Sequence, residues 1–186
     1  MDPTHERNST LSSLQAATTQ LEQSLNYQLI PPEGISFGYA LRGAREVSGI
    51  AAVTGGIRID ADGGRATAGP CSFGTDEPVV RVILTTIKFD PVMRSAAILQ
   101  FSDRAIRFFE NDRFLECAHL DATTKNKGLS TMDWGIASCC EDGVPDVISR
   151  KSASTKESHI ILIGEKPADV ANNIIICSNR ILNSAL

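Results

Sequence analysis

The run from Gly69 to Phe101, GPCSFGTDEPVVRVILTTIKFDPVMRSAAILQF, constrains the fold more than any other part of the chain. It predicts a Gly/Pro turn, a capped apolar helix, a short turn and a buried strand. Asp76 is placed to act as N-cap, with Glu77 and Pro78 in the first turn, where a carboxylate suits the helix dipole and proline forfeits no needed N–H. Val79, Val80, Ile83 and Ile87 recur at helical spacing, and Val82 and Leu84 widen the apolar stripe. Asp90-Pro91 ends the helix, because the residue before a proline is pushed out of the α region. Ser95 to Phe101 is nearly all apolar between charged neighbours, which fits a strand covered on both faces. A glycine turn leading into a helix N-terminus is also a natural anion site.

The flanking segments supply the other layers. Residues 1–10 read as a disordered tail and residues 11–186 as a single domain. A helix is predicted over Leu11 to Asn26, capped by Ser9 or Thr10, with Leu14, Ala17, Leu21 and Leu25 on one face. Pro31-Pro32 stops it. Phe37 to Leu41 is a short strand, and Ile57–Asp60 and Arg65–Ala68 flank a Gly-rich hairpin turn. Ser102 caps a helix over Asp103–Glu110, Phe114–His119 is a strand, and Asp121–Gly128 is a polar loop. Thr131 caps a helix that carries Trp134 and ends before Gly143. Val147–Ser149 and Ile160–Ile163 are strands on either side of the polar loop Arg150–Glu157. Pro167 opens a last helix with Val170, Ala171, Ile174, Ile175 and Leu182 inward. Irregular alternation of helices and strands with a hairpin predicts a mixed sheet flanked by helices.

Composition excludes several classes. A chain of 186 residues with formal net charge −4 does not present a surface for coating nucleic acid. No apolar run approaches the ~20 residues of a membrane span, and the polar start MDPTHERNST lacks the core of a secretory signal. The five cysteines, Cys71, Cys117, Cys139, Cys140 and Cys177, are odd in number and show no Cys-x-x-Cys spacing. They read as reduced, mostly buried thiols of a cytoplasmic protein. His5, His119 and His159 form no ligand spacing. Zinc, P-loop and dinucleotide patterns do not occur, so no metal and no cofactor is expected.

Six motifs, in order, carry a resemblance: LIPPEGISFGYALRGAR, the GP…FG turn, ILTTIKFDPVMRSA, STMDWG, PDVI and TKESHIILIG. Over about residues 28–182 the chain resembles the ThiN family of thiamine-phosphate synthases. The resemblance implies a three-layer α/β/α sandwich around a mixed, mostly antiparallel sheet, similar to the class II aldolase (AraD-like) proteins. Family enzymes join hydroxymethylpyrimidine diphosphate to hydroxyethylthiazole phosphate and release diphosphate. Other members are archaeal-type regulators of transcription in which the domain follows a helix-turn-helix and senses thiamine phosphate. Residues 1–30 hold one helix, too little for a helix-turn-helix. The resemblance implies a small phosphorylated ligand of the thiamine-phosphate kind as partner, and no direct nucleic-acid contact by this chain and no membrane are expected. A homodimer is compatible with the resemblance.

Two departures bear on catalysis. The family's enzymes carry an arginine directly after the glycine aligned with Gly55, and this chain has Gly56. They carry a histidine in the first turn of the organising helix, and this chain has Pro78. An arginine can neutralise a departing diphosphate and a histidine can donate a proton to it; glycine and proline do neither. The expected function is thus a non-catalytic module binding thiamine phosphate or a related thiamine-pathway phosphate, with no catalytic residues. The alternative is an active synthase in which Arg58 substitutes for the lost arginine. The resemblance carries over, as ligand contacts, Arg42 and Gly43, then Gly69, Phe73 and Gly74 of the turn, and Asp90, Arg94 and Ser95. It carries over Ser130, Thr131 and Trp134, Asp146 and Lys156 in the same way. Each has a plainer reading. Arg42 and Arg94 grip phosphate or form ion pairs, Thr131 binds phosphate or only caps a helix, and Trp134 stacks on a ligand ring or packs in the core. Asp90 and Asp146 pair with an aminopyrimidine or cap turns, and Lys156 binds ligand or is solvated.

Overall fold

The computed structural model describes residues 2–25, 27–121 and 134–184. Nine strands and five helices fill these segments: α1 (Pro3–Ser24), β1 (Ser36–Ala40), β2 (Ile50–Val53), β3 (Ile57–Ile59), β4 (Ala66–Ala68), β5 (Cys71–Phe73), α2 (Pro78–Phe89), β6 (Ser95–Gln100), α3 (Asp103–Arg107), β7 (Cys117–Asp121), α4 (Trp134–Cys139), β8 (Val147–Lys151), β9 (His159–Gly164) and α5 (Pro167–Ser184). Seven strands form one sheet in the order β5-β2-β1-β6-β9-β8-β7, and β3 pairs with β4 as a separate hairpin. Every pairing in the large sheet is antiparallel except β7 with β8. Side chains alternate along the strands between two cores. Ala97 and Leu99 of β6 join the α1, α3 and α5 layer, while Ala96 and Ile98 meet α2 and α4 on the opposite face. The result is a three-layer α/β/α sandwich with a mixed, mostly antiparallel sheet.

α2 lies directly on β1. A Cβ added at Gly38 would stand 2.9 Å from the Ala51 carbonyl oxygen and 3.0 Å from methyl groups of both Val79 and Ile83. The missing side chain lets the helix down far enough for Ser36 Oγ, on the same face of β1, to accept from Val79 N at 3.1 Å. At the other end Asp90 is the C-cap, and its Oδ1 accepts from Val92 N at 3.2 Å, which turns the chain into β6.

Several boundaries differ from those predicted. α1 starts at Pro3, so residues 3–10 are helical rather than a tail. Asp2 is the N-cap, Glu6 Oε1 accepts from Arg42 N at 3.0 Å, and the Arg7 guanidinium lies 4.0 Å from the centre of the Phe73 ring. One local cap and two contacts with distant segments supply what the polar sequence lacks in apolar periodicity. The short strands β2 and β5 escape prediction because they carry no alternation, and β5 falls inside the expected Gly/Pro turn. α3 stops at Arg107 and passes into a π-helical turn, Phe108–Asp112. The wider turn buries the adjacent Phe108 and Phe109 together, with their rings edge to face at 5.7 Å. Phe114, expected in a strand, is 85% exposed at φ 54 before β7 begins. Leu182, expected to point inward, is 47% exposed near the end of α5.

All five cysteines are free thiols. Burial pushes the Cys177 thiol up to about 12. Cys140 rises to about 11 through burial and then the adjacent Cys139. Cys117 rises to about 11 through burial first, then Glu110 and Asp146.

Two outcomes follow from this packing. Gly38→Ala should cost about 1–3 kcal/mol of stability, because the added methyl must push α2 off β1; denaturant unfolding measures it. The thiols titrate near 9.0 when unfolded but only at about 11 to 12 when folded, so the unfolded chain releases protons first as pH rises. Stability should therefore be undiminished by these groups below pH 9 and fall from there towards pH 11. Unfolding midpoints across that range should drop, and less steeply in Cys177→Ala.

Candidate ligand cleft

A cleft of about 410 Å³ opens on the α2/α4 face of the sheet, beside the N-terminus of α2. Ile98, Ile148 and Ile161 form its apolar floor, and Pro78 and Val82 of α2 with Ile136 of α4 form its walls. Its polar rim comes from three places: Glu33 before β1, the Gly55-Gly56 turn with Arg58 of β3, and the paired residues Arg150 and His159 of β8 and β9.

The N-terminus of α2 differs from the prediction in one respect that matters here. Glu77, rather than Asp76, is the N-cap residue, and its side chain caps nothing in its own helix. Its Oε1 instead accepts from Gly55 N at 2.9 Å, on a turn that also lines the cleft. Arg58 Nε donates to the Gly55 carbonyl at 2.8 Å, so one residue is held by an acid and a base from opposite sides. Gly56 follows at φ 72, and a Cβ there would lie 2.8 Å from the Ile35 carbonyl oxygen. The strand-like bridge between Ile35 and Ile57 keeps that carbonyl in place. The Gly56 turn thus has no room for a side chain in this conformation.

Further round the rim, His159 Nε2 lies 3.6 Å from Glu33 Oε1. Arg150 has no such partner: its Nε is buried and without a hydrogen bond among the described residues. Both positions flanking the α2 N-terminus that depart from the family's enzymes, Gly56 and Pro78, line this cleft, as does Arg58. Glu33, Glu77, Arg150 and His159 were not singled out as ligand contacts from the sequence. For Arg150 the available signal was its place one residue beyond an apolar strand, in register with His159.

Among the described residues, none of the contacts carried over by resemblance lines this cleft. Arg42 and Gly43 follow β1 at the opposite end of the sheet, where Gly43 lines a second cavity at the C-terminal end of α2. Asp90 lies at that same end as the C-cap of α2. Arg94 donates to the Ala40 carbonyl at 3.0 Å and to Tyr39 Oη at 2.6 Å, and its guanidinium stacks on the Tyr39 ring. Ser95 is fully buried and donates to the Gly38 carbonyl at 2.9 Å. Gly69 is pressed against the Thr54 carbonyl, Phe73 pairs across from Ala51, and Gly74 N donates to the Ile50 carbonyl at 3.3 Å. Asp146 Oδ2 accepts from Glu116 N at 2.9 Å at the end of β8 away from Arg150. Lys156 sits in the 155–157 turn before β9, and Trp134 opens α4. Ser130 and Thr131 lie outside the described residues.

One other constellation resembles catalytic machinery. His119 Nδ1 is 2.5 Å from Ser149 Oγ, and its Nε2 is 3.2 Å from Glu110 Oε1. Ser149 is only 4% exposed, in mid-strand on the face away from the cleft, so no substrate carbonyl can reach its oxygen. The chain of bonds pins the β7–β8 pair to the turn after α3.

A three-layer sandwich with this sheet and a cleft over one face defines a class: the fold of the class II aldolase-like proteins. The crystal structure of l-fuculose-1-phosphate aldolase from Thermus thermophilus matches with a TM-score of 0.51 at 11% identity over 96% of each chain. Within that class, the C-terminal domain of protein MJ0236 superposes far better, with a TM-score of 0.84 and 26% identity over 97% of this chain and 98% of that one. The bifunctional thiamine biosynthesis protein ThiDN of Methanocaldococcus jannaschii is 29% identical over 156 residues, which is 83% of this chain and 37% of that relative's length. The family described as thiamine-phosphate synthase ThiN matches residues 13–176, and the chain belongs to it.

Arg94 provides a test of the placement. Its contacts hold the β1–β6 end of the sheet, so Arg94→Ala should lower stability by about 1–2 kcal/mol. Ligand affinity at the cleft should be unchanged in calorimetric titration. A variant of undiminished stability that loses affinity would return Arg94 to the site.

Proposed function

We propose that this chain is a non-catalytic ThiN domain that binds thiamine phosphate, or a closely related thiamine-pathway phosphate, as a sensor or regulatory module. The observation that carries this reading is the pair Gly56 and Pro78 in the wall of the cleft, where the family's enzymes place an arginine and a histidine. Gly56 cannot be exchanged for a larger residue without moving the turn, so the loss is built into the backbone. Pro78 offers neither a proton nor an N–H. Loss of such electrostatic groups typically costs ~10²–10³-fold each in rate. The apolar floor remains suited to an aromatic ligand, and the rim retains charged groups for its polar ends.

The second reading, an active synthase with displaced charges, is favoured by Arg58, which lines the same cleft. Against it stands the 2.8 Å bond from Arg58 Nε to the Gly55 carbonyl, which commits part of that guanidinium to the turn.

Calorimetric titration with thiamine phosphate, run beside an assay of its formation from hydroxymethylpyrimidine diphosphate and hydroxyethylthiazole phosphate, separates the two. Micromolar binding, about −8 kcal/mol, is expected without turnover. Turnover at an ordinary enzyme rate would establish the synthase instead. Absence of heat at millimolar thiamine phosphate would remove the binding function.

A further inference from the structure

We propose that Arg150 anchors the phosphate of the cleft's ligand, and that the ligand lies with its phosphate away from the α2 N-terminus and its cationic ring towards Glu77. This rests on the reading of the cleft as a thiamine-phosphate site and adds the direction of binding and the residue that sets it.

A helix N-terminus is the usual place for a phosphate in an α/β protein. Here it is closed. Pro78 has no N–H, Val79 N donates to Ser36 Oγ at 3.1 Å, and Val80 N donates to the Glu77 carbonyl at 3.0 Å. The Glu77 carboxylate stands at the same end, held by the neutral Gly55 N–H and paired with no cation among the described residues. An anion approaching α2 would meet no free N–H in the first turn of the helix and a like charge. A cationic ring would meet a carboxylate at short range above an apolar floor, where such attraction is strengthened.

The opposite wall has the complementary chemistry. His159 Nε2 faces Glu33 Oε1 at 3.6 Å. Its strand neighbour Arg150 is half-buried, makes no ion pair among the described residues, and carries a buried Nε with no partner. Among the described residues the buried Nε of this guanidinium lacks the acceptor that its burial requires. A phosphate monoester supplies two or more oxygens in the geometry that a guanidinium fork matches. Arg58 also lines the cleft, on the Gly55 turn that Glu77 holds, and can share the anion through the guanidinium nitrogens left over from its bond to Gly55. The cleft is therefore dipolar, cation-seeking at Glu77 and anion-seeking at Arg150. A second phosphate would have to extend past Arg150 or turn back towards the carboxylates, so a monophosphate is preferred over a diphosphate.

The test compares thiamine phosphate, unphosphorylated thiamine and thiamine diphosphate by calorimetric titration of the wild-type chain, Arg150→Gln, Arg150→Lys and Glu77→Gln. Arg150→Gln should weaken thiamine phosphate by about 30-fold or more and unphosphorylated thiamine by less than about threefold. Arg150→Lys should recover part of the loss, since it restores the charge but not the fork. Glu77→Gln should weaken thiamine and thiamine phosphate alike. Wild-type chain should prefer thiamine phosphate to thiamine diphosphate. Thermal melts check folding, and Arg150→Gln should melt no lower than wild type because it removes an unmatched buried donor. Equal loss of both thiamine and thiamine phosphate in Arg150→Gln, or loss of neither, overturns the anchor. If the wild-type chain binds no thiamine compound, the function proposed above falls by itself. The anchor is then read with inorganic phosphate, where ³¹P line broadening that vanishes in Arg150→Gln upholds it and absence of broadening overturns it.

Discussion

The approach of α2 to β1 over Gly38 is the contact on which the cleft depends. With no side chain between them, the helix sits low enough for its first free N–H to reach Ser36 on the strand beneath. That height places Pro78 and Val82 as a wall rather than a lid, and it brings Glu77 within reach of the Gly55 turn. Close packing makes the arrangement stiff, because methyl groups of Val79 and Ile83 already fill the available space. Site geometry is thus inherited from a backbone contact in the core, not from the loops that border it.

The charge distribution follows from that frame. The chain is acidic as a whole, with net charge −4, yet two arginines and a histidine share the cleft with two glutamates. Such a site does not attract anions from a distance; selectivity comes from where each charge is fixed once water is displaced. Gly55 is the pivot of this placement, since its N–H and carbonyl are taken by Glu77 and Arg58 respectively.

The central layer was legible in the sequence because its signals are local and redundant. Val79 to Ile87 repeat at helical period between a proline start and an Asp-Pro stop, and Ser95 to Gln100 is an apolar run with no competing reading. The family motifs supplied the sandwich that these elements alone could not. β2 and β5 were hidden because strands of four and three residues owe their pairing to neighbours far along the chain. The cleft was partly hidden for the same reason. Glu33, Glu77, Arg150 and His159 lie on four separate segments and meet only through the sheet register. Motif adjacency, by contrast, drew attention to Arg94 and Ser95, whose proximity to a buried strand reflects structural bonds to Tyr39, Ala40 and Gly38.

The left-handed turn at Gly56 has an evolutionary consequence. A Cβ at this position would lie 2.8 Å from the Ile35 carbonyl oxygen, so the turn in this conformation accepts only glycine. A single substitution to arginine is therefore not available to this turn, because the incoming side chain meets the carbonyl before it meets solvent or ligand. Such a change would require the Ile35–Ile57 bridge to open at the same time, a second change that has no advantage alone. Backbone packing of this kind acts as a ratchet: a domain that holds this turn is free to change what it recognises elsewhere in the cleft, while a side chain at this position is closed to it by sterics.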